Sequence, residues 1–413
     1  MPIKPNSPSF LICSAGNSCF SSLSMTPGSS SVCAKSRAAS RIIKCSSDRL
    51  KFIDYSVYYW VMQMYNASFN VLGLMSGTSL DGMDAAVVQF SNVTDPHWKL
   101  LYFKCLPYPE ALKKQIEAAY ENASLSDKAS AAFAQWSIDV IQAVQADFDG
   151  TIDLVASHGQ TIFHKPEKKF TYQAGCLPEI ATATKLPLVT NFRVQDVLLG
   201  GQGAPLVPFG DHKLFGTYEA ALNLGGFANC SIGSPLLKDG VSVAFDICPA
   251  NRILNTFARE LGQDYDKDGL LARQGRINPW VLDQLNSLPF YDLPAPKSLG
   301  QEWIDKTFIE LVDILAPKDA LATCIQHIAD QIAQQLEGKR TLVTGGGAFN
   351  RTLLQAIEEN NVPIVLPEKT IIEAKEAIVF ALLGFERFMG RANVIGTTTG
   401  SGIWHSSGTI FHP

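Results

Sequence analysis

The spacing of apolar residues along the chain predicts a protein of mixed α and β elements. Short apolar runs bounded by glycine or polar residues predict strands at 71–74, 85–90, 99–105, 152–157, 185–190, 221–224, 229–232, 241–247, 340–344 and 362–366. Apolar residues at helical spacing predict helices at 109–120, 127–148, 251–261, 320–336, 353–360 and 371–389. For the rest we predict irregular structure at 285–297 and a polar tail at 401–413. This alternation of strands and helices is typical of α/β folds.

Three glycine-rich turns follow apolar strands, at 77–82, at 225–226 and at 345–347. The first two connect the arms of hairpins, and the third opens toward a helix. Backbone N–H groups and hydroxyls in such turns can bind phosphate oxygens, and acids beside them can hold Mg²⁺ through water. Taken alone, the first turn is equally compatible with an ordinary hairpin. The order and spacing of all three turns favour a nucleotide held between two lobes.

Composition and charge narrow the classes of function. Of the 413 residues, 46% are hydrophobic and 18% are charged, which suits a globular protein with a large core. The net charge of −5 gives no support for nucleic-acid binding, and no apolar run reaches the ~20 residues of a membrane helix. The nine cysteines form no CxxC pair, and we expect the five beyond residue 100 to be reduced thiols of a cytoplasmic protein.

Residues 1–66 differ from the rest of the chain, since they are rich in serine, poor in acids and without a sustained period. Such a leader resembles an organelle transit peptide. An over-extended gene start, with Met62 or Met64 as the real initiator, explains it as plainly. In both cases we expect a disordered N-terminal extension.

Eight segments carry a resemblance to a known family. They are GLMSGTSLDGMD (73–84), SHGQTIFHKP (157–166), FRVQDVLLGGQGAPLVP (192–208), LNLGGFAN (222–229), FDICPAN (245–251), YDKDG (265–269), PAPKSLGQEW (294–303) and VTGGGAFN (343–350). The chain has no P-loop sequence and no GxGxxG after a strand, which argues against those two kinds of nucleotide site. Together the segments resemble the anhydro-N-acetylmuramic acid kinases, a branch of the actin/hexokinase-type superfamily.

The resemblance implies two actin-like (ribonuclease H-like) lobes, each a mixed β-sheet flanked by helices, with ATP and Mg²⁺ in the cleft between them. We expect lobe I at 67–205 and lobe II at 206–413, with the last helix free to pack back on lobe I. In the family's reaction, water opens the 1,6-anhydro bridge of the sugar while O6 accepts the γ-phosphoryl group of ATP. The product is N-acetylmuramic acid 6-phosphate, formed in the recycling of cell-wall sugar.

The ATP contacts that the resemblance implies lie on the three turns, and Asp81 is the residue expected to organise Mg²⁺. Phosphate contacts are expected from Gly77, Thr78, Ser79, Leu80, Asp81, Gly82, Met83, Asp84, Gly225 and Gly226. The adenosine is expected beside Gly345, Gly346, Gly347 and Asn350.

Three residues are predicted to act in catalysis. Asp246 is expected to be the base that activates water, because it ends a strand and matches the aspartate of the family's FDxGPGN motif. Alternatively, Asp246 caps the following turn. Asp196 is the second candidate acid. Arg193 either balances charge on the sugar or phosphate, or pairs with Asp196.

Substrate contacts are expected from His158, Gln160, Gln202 and Asn251. His158 either bonds the sugar or holds the cleft. Glu376 can reach the nucleotide region from the last helix, although an exposed glutamate in a first turn explains it more simply.

Four positions depart from the family pattern: Asn191, Val194, Cys248 and Ala250, the last two in place of glycines. With these four departures phosphoryl transfer from ATP is still expected, whereas the identity of the sugar is left open. The alternatives are another ATP-dependent sugar kinase of the same superfamily, or a non-catalytic ATP-binding module. The expected partners are a small amino sugar and ATP, with no nucleic acid and no membrane, and a homodimer is left open.

Overall fold

The computed structural model describes residues 68–77, 80–91, 97–233 and 243–413. The predicted N-terminal extension at 1–66 and two of the predicted phosphate contacts, Thr78 and Ser79, lie outside the described residues. None of the helices in the described ranges is both long and apolar enough to cross a membrane.

Thirteen strands are present in the described part of the chain. They are β1 (Ser68–Ser76), β2 (Gly82–Ser91), β3 (His97–Pro107), β4 (Leu154–Ser157), β5 (Gln160–Lys165), β6 (Phe170–Ala174), β7 (Leu188–Thr190), β8 (Ala220–Leu224), β9 (Phe227–Ile232), β10 (Val243–Pro249), β11 (Thr341–Thr344), β12 (Ile364–Val365) and β13 (Thr409–Phe411). Two larger sheets have the orders β13-β7-β4-β1-β2-β3 and β10-β9-β8-β11-β12.

The two larger sheets share one topology. In each, three consecutive strands form an antiparallel meander whose first strand pairs in parallel with a later strand. A further parallel strand follows at the next position, β7 in the first sheet and β12 in the second. The predicted fold of two mixed sheets is therefore confirmed.

The helices are α1 (Glu110–Glu121), α2 (Ser126–Asp147), α3 (Glu179–Thr184), α4 (Val194–Leu198), α5 (Val207–Leu214), α6 (Asn251–Glu260), α7 (Pro279–Asn286), α8 (Gln301–Trp303), α9 (Ile309–Val312), α10 (Pro317–Leu336), α11 (Arg351–Glu359), α12 (Lys369–Phe388) and α13 (Gly396–Thr399). A π-helical turn at Ile304–Phe308 joins α8 to α9. The first sheet is covered on one face by α1 and α2 and on the other by α12, and this explains why its central strands are continuous apolar runs.

The region 285–297 is irregular as predicted, apart from the last two residues of α7, a helix with Pro279 at its first position and Asn278 as its N-cap. The prediction for the C-terminal residues 401–413 missed a strand. The predicted polar tail is ordered, because β13 pairs antiparallel with β7 at the edge of the first sheet. Pairing between strands so distant in sequence leaves no local signal. The lobe boundary at residue 205 stays a prediction.

The last helix packs closely on the first sheet through a glycine on each side of the contact. A Cβ on Gly73 of β1 would lie 2.0 Å from the carbonyl oxygen of Ala377, and a Cβ on Gly384 would lie 2.3 Å from the Cβ of Ala156. Glycine at these positions allows the α12 backbone to approach the sheet. Helix α12, which also contacts the third glycine turn, is thereby fixed to the first sheet.

We predict that Gly73→Ala lowers the free energy of unfolding by about 1–3 kcal/mol, because the added methyl group must displace helix backbone. Thermal or urea unfolding measures the effect. Gly300→Ala is the matched control, since a Cβ there meets nothing within 4 Å. Equal stability of the two variants would contradict this description of the contact.

Candidate active site

The first hairpin joins β1 to β2 and turns tightly. Leu80 has φ of 54°, and its N–H donates to the carbonyl oxygen of Gly77 at 3.4 Å. Asp81 is exposed at the tip, whereas Leu80 and Met83 are buried beneath it. The described part of the turn therefore presents the Asp81 carboxylate to solvent, while Leu80 and Met83 anchor it in the core.

A buried polar network lies behind this hairpin. Ser76 Oγ donates to Oε1 of Gln160 at 2.6 Å, and the Tyr108 hydroxyl donates to the same oxygen at 2.9 Å. The Gln160 amide donates to the Tyr120 hydroxyl at 2.9 Å. Gln160 is fully buried, so the structure places this predicted substrate contact behind the hairpin, where it supports Ser76.

The second hairpin and the third turn lie against each other at the end of the second sheet. Gly345 has φ of 83°, and a Cβ there would lie 2.5 Å from the Asn223 side chain. Asn251 donates to the carbonyl oxygen of Leu224 at 2.8 Å, and a Cβ on Gly347 would lie 2.6 Å from the Leu224 side chain. Asn251, predicted to contact the sugar, thus lies with the nucleotide turns.

Other predicted nucleotide contacts in this region serve the fold as well. Asn350 accepts a hydrogen bond from the Leu353 N–H at 3.1 Å and caps α11. The Gly225 and Gly226 carbonyls accept from backbone N–H groups at the start of α6, while a Cβ on Gly226 would meet only one atom within 4 Å, at 3.8 Å. The outer side of this turn is therefore open to a ligand.

The start of α12 brings the two sheets together. Lys375 forms a buried ion pair with Asp211 at 2.8 Å and donates to Thr344 Oγ1 at 3.2 Å, immediately before the third turn. The second oxygen of Asp211 accepts from Ser231 Oγ at 2.9 Å. Helix α12 packs on the first sheet, whereas Thr344 and Ser231 belong to the second, so this network joins the two sheets.

Glu376 follows Lys375 and faces a different environment. Its side chain is accessible to solvent and makes no hydrogen bond or ion pair with any residue in the described ranges. Surrounding protein raises the pKa of its carboxyl group, against the opposing effect of Lys375 and Arg193. Glu376 therefore combines an accessible carboxylate with proximity to the charges of Arg193 and Asp84.

Asp84 lies on β2 beside further acids. Burial raises the pKa of its carboxyl group, the Cys105 thiol opposes this through a hydrogen bond, and the nearby charge of Glu373 raises it further. The charge of Asp84 in turn raises the pKa of Glu376. A divalent cation would relieve this repulsion, so the residues present fit Mg²⁺. The described residues contain no cluster of three metal-ligating side chains, so a cation here would need phosphate oxygens and water as well.

Arg193 contacts His158 and the loop Gly200–Gly203, here called the GGQG loop. Its Nε donates to His158 Nε2 at 3.0 Å, and its Nη1 donates to the Gly203 carbonyl oxygen at 2.7 Å. Burial lowers the pKa of Arg193 to about 10, and burial together with Arg193 holds the pKa of His158 well below its ordinary value. His158 is therefore a buried neutral acceptor, which favours the prediction that it holds the cleft.

Asp196 is fully buried, and both of its oxygens are engaged. One accepts from the Gly203 N–H at 2.7 Å, and the other accepts from Thr399 Oγ1 at 2.6 Å and lies 3.5 Å from His405 Nε2. Arg193 and Asp196 thus hold the two sides of the Gly203 backbone, with no direct bond between them recorded. Gln202 beside it is exposed, as expected of a substrate contact.

Asp246 lies on β10 in the second sheet and is partly exposed. Its Oδ2 accepts from the Leu299 N–H at 2.8 Å, and its own N–H donates to the Lys297 carbonyl oxygen at 2.9 Å. Burial raises the pKa of its carboxyl group. It therefore anchors the loop at 297–299, a contact that sequence reasoning did not predict, and not the turn that follows β10.

Comparisons with known proteins identify the family to which the chain belongs. Residues 69–413 match the family described as "Anhydro-N-acetylmuramic acid kinase". Proteins of that name from Hydrogenovibrio crunogenus and Salinibacter ruber are 32% and 34% identical to this chain, with 83% of this chain and 98% and 96% of theirs aligned. One from Aliivibrio fischeri is 33% identical over 82% of this chain and 98% of its own. The chain therefore belongs to the anhydro-N-acetylmuramic acid kinase family.

Proposed function

We propose that the protein is an ATP-dependent kinase that opens 1,6-anhydro-N-acetylmuramic acid with water and phosphorylates O6. The products are N-acetylmuramic acid 6-phosphate and ADP, and the process served is the recycling of peptidoglycan sugar. The observation that carries the proposal is a family match that spans both sheets and all three glycine turns. The names of the relatives support the same reaction.

The family departures bear less on the sugar than the sequence suggested. Cys248 and Ala250 are fully buried and belong to the apolar core of the second sheet. Their side chains replace glycine hydrogens on the core side of the chain. The alternative of a different sugar kinase therefore gains no support from these two positions.

The nucleotide is proposed to lie with its phosphates between the first two turns and its adenosine beside the third. Asp81 at the exposed end of the first hairpin, with Asp84 on β2, would hold Mg²⁺ together with phosphate oxygens. When bound, the ion would neutralise charge on the phosphate oxygens. The open backbone of the turns would donate to the remaining oxygens.

The base that activates water is proposed to be Glu376. A base needs a free oxygen, exposure to solvent and a pKa above its ordinary value, and these three properties of Glu376 support the proposal. Asp196 is buried, and both of its carboxylate oxygens accept hydrogen bonds. One carboxylate oxygen of Asp246 accepts a hydrogen bond from the 297–299 loop. Asp246, the residue predicted from sequence, remains the main competitor because its other oxygen has no recorded partner.

In the proposed reaction, opening of the 1,6-anhydro ring by water and phosphoryl transfer to O6 occur in one turnover. The oxygen of water attacks C1 of the sugar and gives its proton to the Glu376 carboxylate. The bond from C1 to O6 breaks, and O6 takes the electron pair. O6 then bonds to the γ-phosphorus of ATP as the bond to the β-phosphate oxygen breaks, which releases ADP. Glu376 loses the proton to solvent before the next turnover. Enclosure of the cleft around both substrates would limit the loss of ATP to bulk water.

The compartment and the assembly stay proposals. We propose a cytoplasmic, reducing compartment, with which the five free cysteines among the described residues are compatible. The homodimer left open by the sequence stays a prediction.

The proposed function is tested by ADP release from ATP with different acceptors. We expect sustained release with the 1,6-anhydro sugar and at most a few per cent of that rate with glucose or free N-acetylmuramic acid. A preference for a simple hexose would indicate the alternative sugar kinase. ATP binding without any sugar-dependent ADP release would indicate the non-catalytic module.

A further inference from the structure

The segment 396–405 near the C-terminus contacts the GGQG loop. The Gln202 N–H donates to the Thr399 carbonyl oxygen at 2.7 Å, and the Thr399 hydroxyl donates to Asp196 at 2.6 Å. Thr399 is therefore bonded to the loop directly and, through Asp196, a second time. Both Thr399 and Asp196 are at most 1% exposed, so water does not compete readily for these bonds.

The Asp196 carboxylate links Thr399 to Gly203, and Gly203 is in turn bonded to Arg193. Asp196 accepts from the Gly203 N–H, while Arg193 donates to the Gly203 carbonyl oxygen. Gly201 must be glycine here, since a Cβ would lie 2.2 Å from an Asp196 oxygen. The peptide units on both sides of Gln202 are thus fixed, and only its side chain is free to reach a ligand.

His405 supports Asp196 from the other end of the segment. Its Nδ1 contacts the Ile403 carbonyl oxygen at 3.1 Å, and its Nε2 lies 3.5 Å from the same Asp196 oxygen that Thr399 bonds. The short helix α13, which contains Thr399, also contacts β10, the strand that carries Asp246. The segment therefore contacts both Asp196 and the strand that carries Asp246, the two acids predicted from sequence.

We infer that Thr399, with His405, is a positioning residue of the sugar site: it holds Asp196 and thereby fixes Gln202 and Arg193 toward the acceptor sugar. This inference rests on the proposed function. None of the contacts recorded for Thr399 or His405 involves a residue of the three glycine turns. The segment should therefore affect the acceptor sugar far more than ATP.

Three variants test the inference. Thr399→Val removes the donor at nearly constant volume, Thr399→Ser keeps it, and Thr397→Val is the control because Thr397 is exposed on the same short helix. We expect Thr399→Val to lower kcat/KM for the anhydro sugar about tenfold, as loss of one bond to a buried charged group would do. The KM for ATP should stay within about twofold, and the Ser and control variants should resemble the wild type.

A purely structural role would give a different pattern. If Thr399→Val lowers Tm but leaves kcat/KM for the sugar unchanged at a temperature where it is folded, the inference fails. Equal weakening of sugar and ATP would also overturn it. His405→Gln gives a second test through the other partner of Asp196, and a selective loss for the sugar is again expected. If the wild type itself releases no ADP with the anhydro sugar, the proposed function fails instead, and the inference falls with it.

Discussion

Glu376→Gln is expected to lower kcat by roughly 10²- to 10⁴-fold, the range associated with loss of a general base. The amide is nearly the same size as the carboxyl group but cannot accept the proton of the attacking water. Because Glu376 is accessible and makes no recorded bond to a described residue, the substitution should leave Tm almost unchanged. Steady-state ADP release with the anhydro sugar measures the effect.

The pH profile sharpens this prediction. The base must be ionised, and burial raises the pKa of Glu376 above its ordinary 4.5. In the wild type, kcat should therefore fall as pH drops through a value above 4.5, and this acid limb should disappear in Glu376→Gln. Glu358→Gln, on the exposed face of α11, is the control and should behave as the wild type.

Asp246 and Asp196 are the other candidates for the base that activates water. If Asp246→Asn abolishes turnover while Glu376→Gln retains it, the base is Asp246, as the sequence predicted. The corresponding result for Asp196→Asn is ambiguous by itself, since that variant also disturbs the hydrogen bond from Gly203. If Asp196 is the base, Asp196→Asn removes the acid limb of the pH profile. If Asp196 only supports the loop at Gly203, the acid limb remains.

Lys375→Met is expected to lower the free energy of unfolding by about 3–5 kcal/mol, because it leaves the Asp211 charge buried without its cation. Lys375 is 4% exposed and Asp211 is 8% exposed, so water cannot replace the lost partner easily. Chemical denaturation measures the change. The variant should also lose activity beyond its loss of stability, since Lys375 orients the start of α12 and hence Glu376.

A double variant and a surface variant serve as controls. Lys375→Met with Asp211→Asn removes both charges and should recover a large part of the lost stability. Lys369→Met breaks an exposed pair with Glu373 on the same helix and should cost no more than about 0.5 kcal/mol. Equal effects of the two lysine substitutions would contradict the assignment of the buried ion pair.

Local chemistry made much of this fold predictable. The strands that carry the glycine turns and the long helix Pro317–Leu336 follow directly from apolar spacing and glycine positions. The hairpin β5–β6 was not predicted, because its strands are short and rich in polar and charged residues. The edge strand β13 escaped prediction because its partner β7 is about 220 residues away in the chain.

The site was predictable only in part, and the reason is again distance in sequence. Glycine turns can be recognised from the local sequence. Whether a polar residue contributes to the site depends instead on elements far along the chain. Gln160 and His158 follow the same strand as predicted, yet both are buried behind the site. Glu376 looked like an ordinary exposed helix residue, and only its proximity to Arg193 and Asp84 distinguishes it. Thr399 and His405 carried no motif at all.

The proposed reaction requires that water and ATP act on the same sugar in one turnover. It is tested most directly by running the reaction in water enriched in oxygen-18 and weighing the product. We expect a sugar monophosphate that carries one oxygen-18 atom, located on C1, with one ADP formed for each molecule of sugar phosphate. A phosphorylated sugar without the heavy oxygen, or ADP formed at the same rate without the sugar, would contradict it.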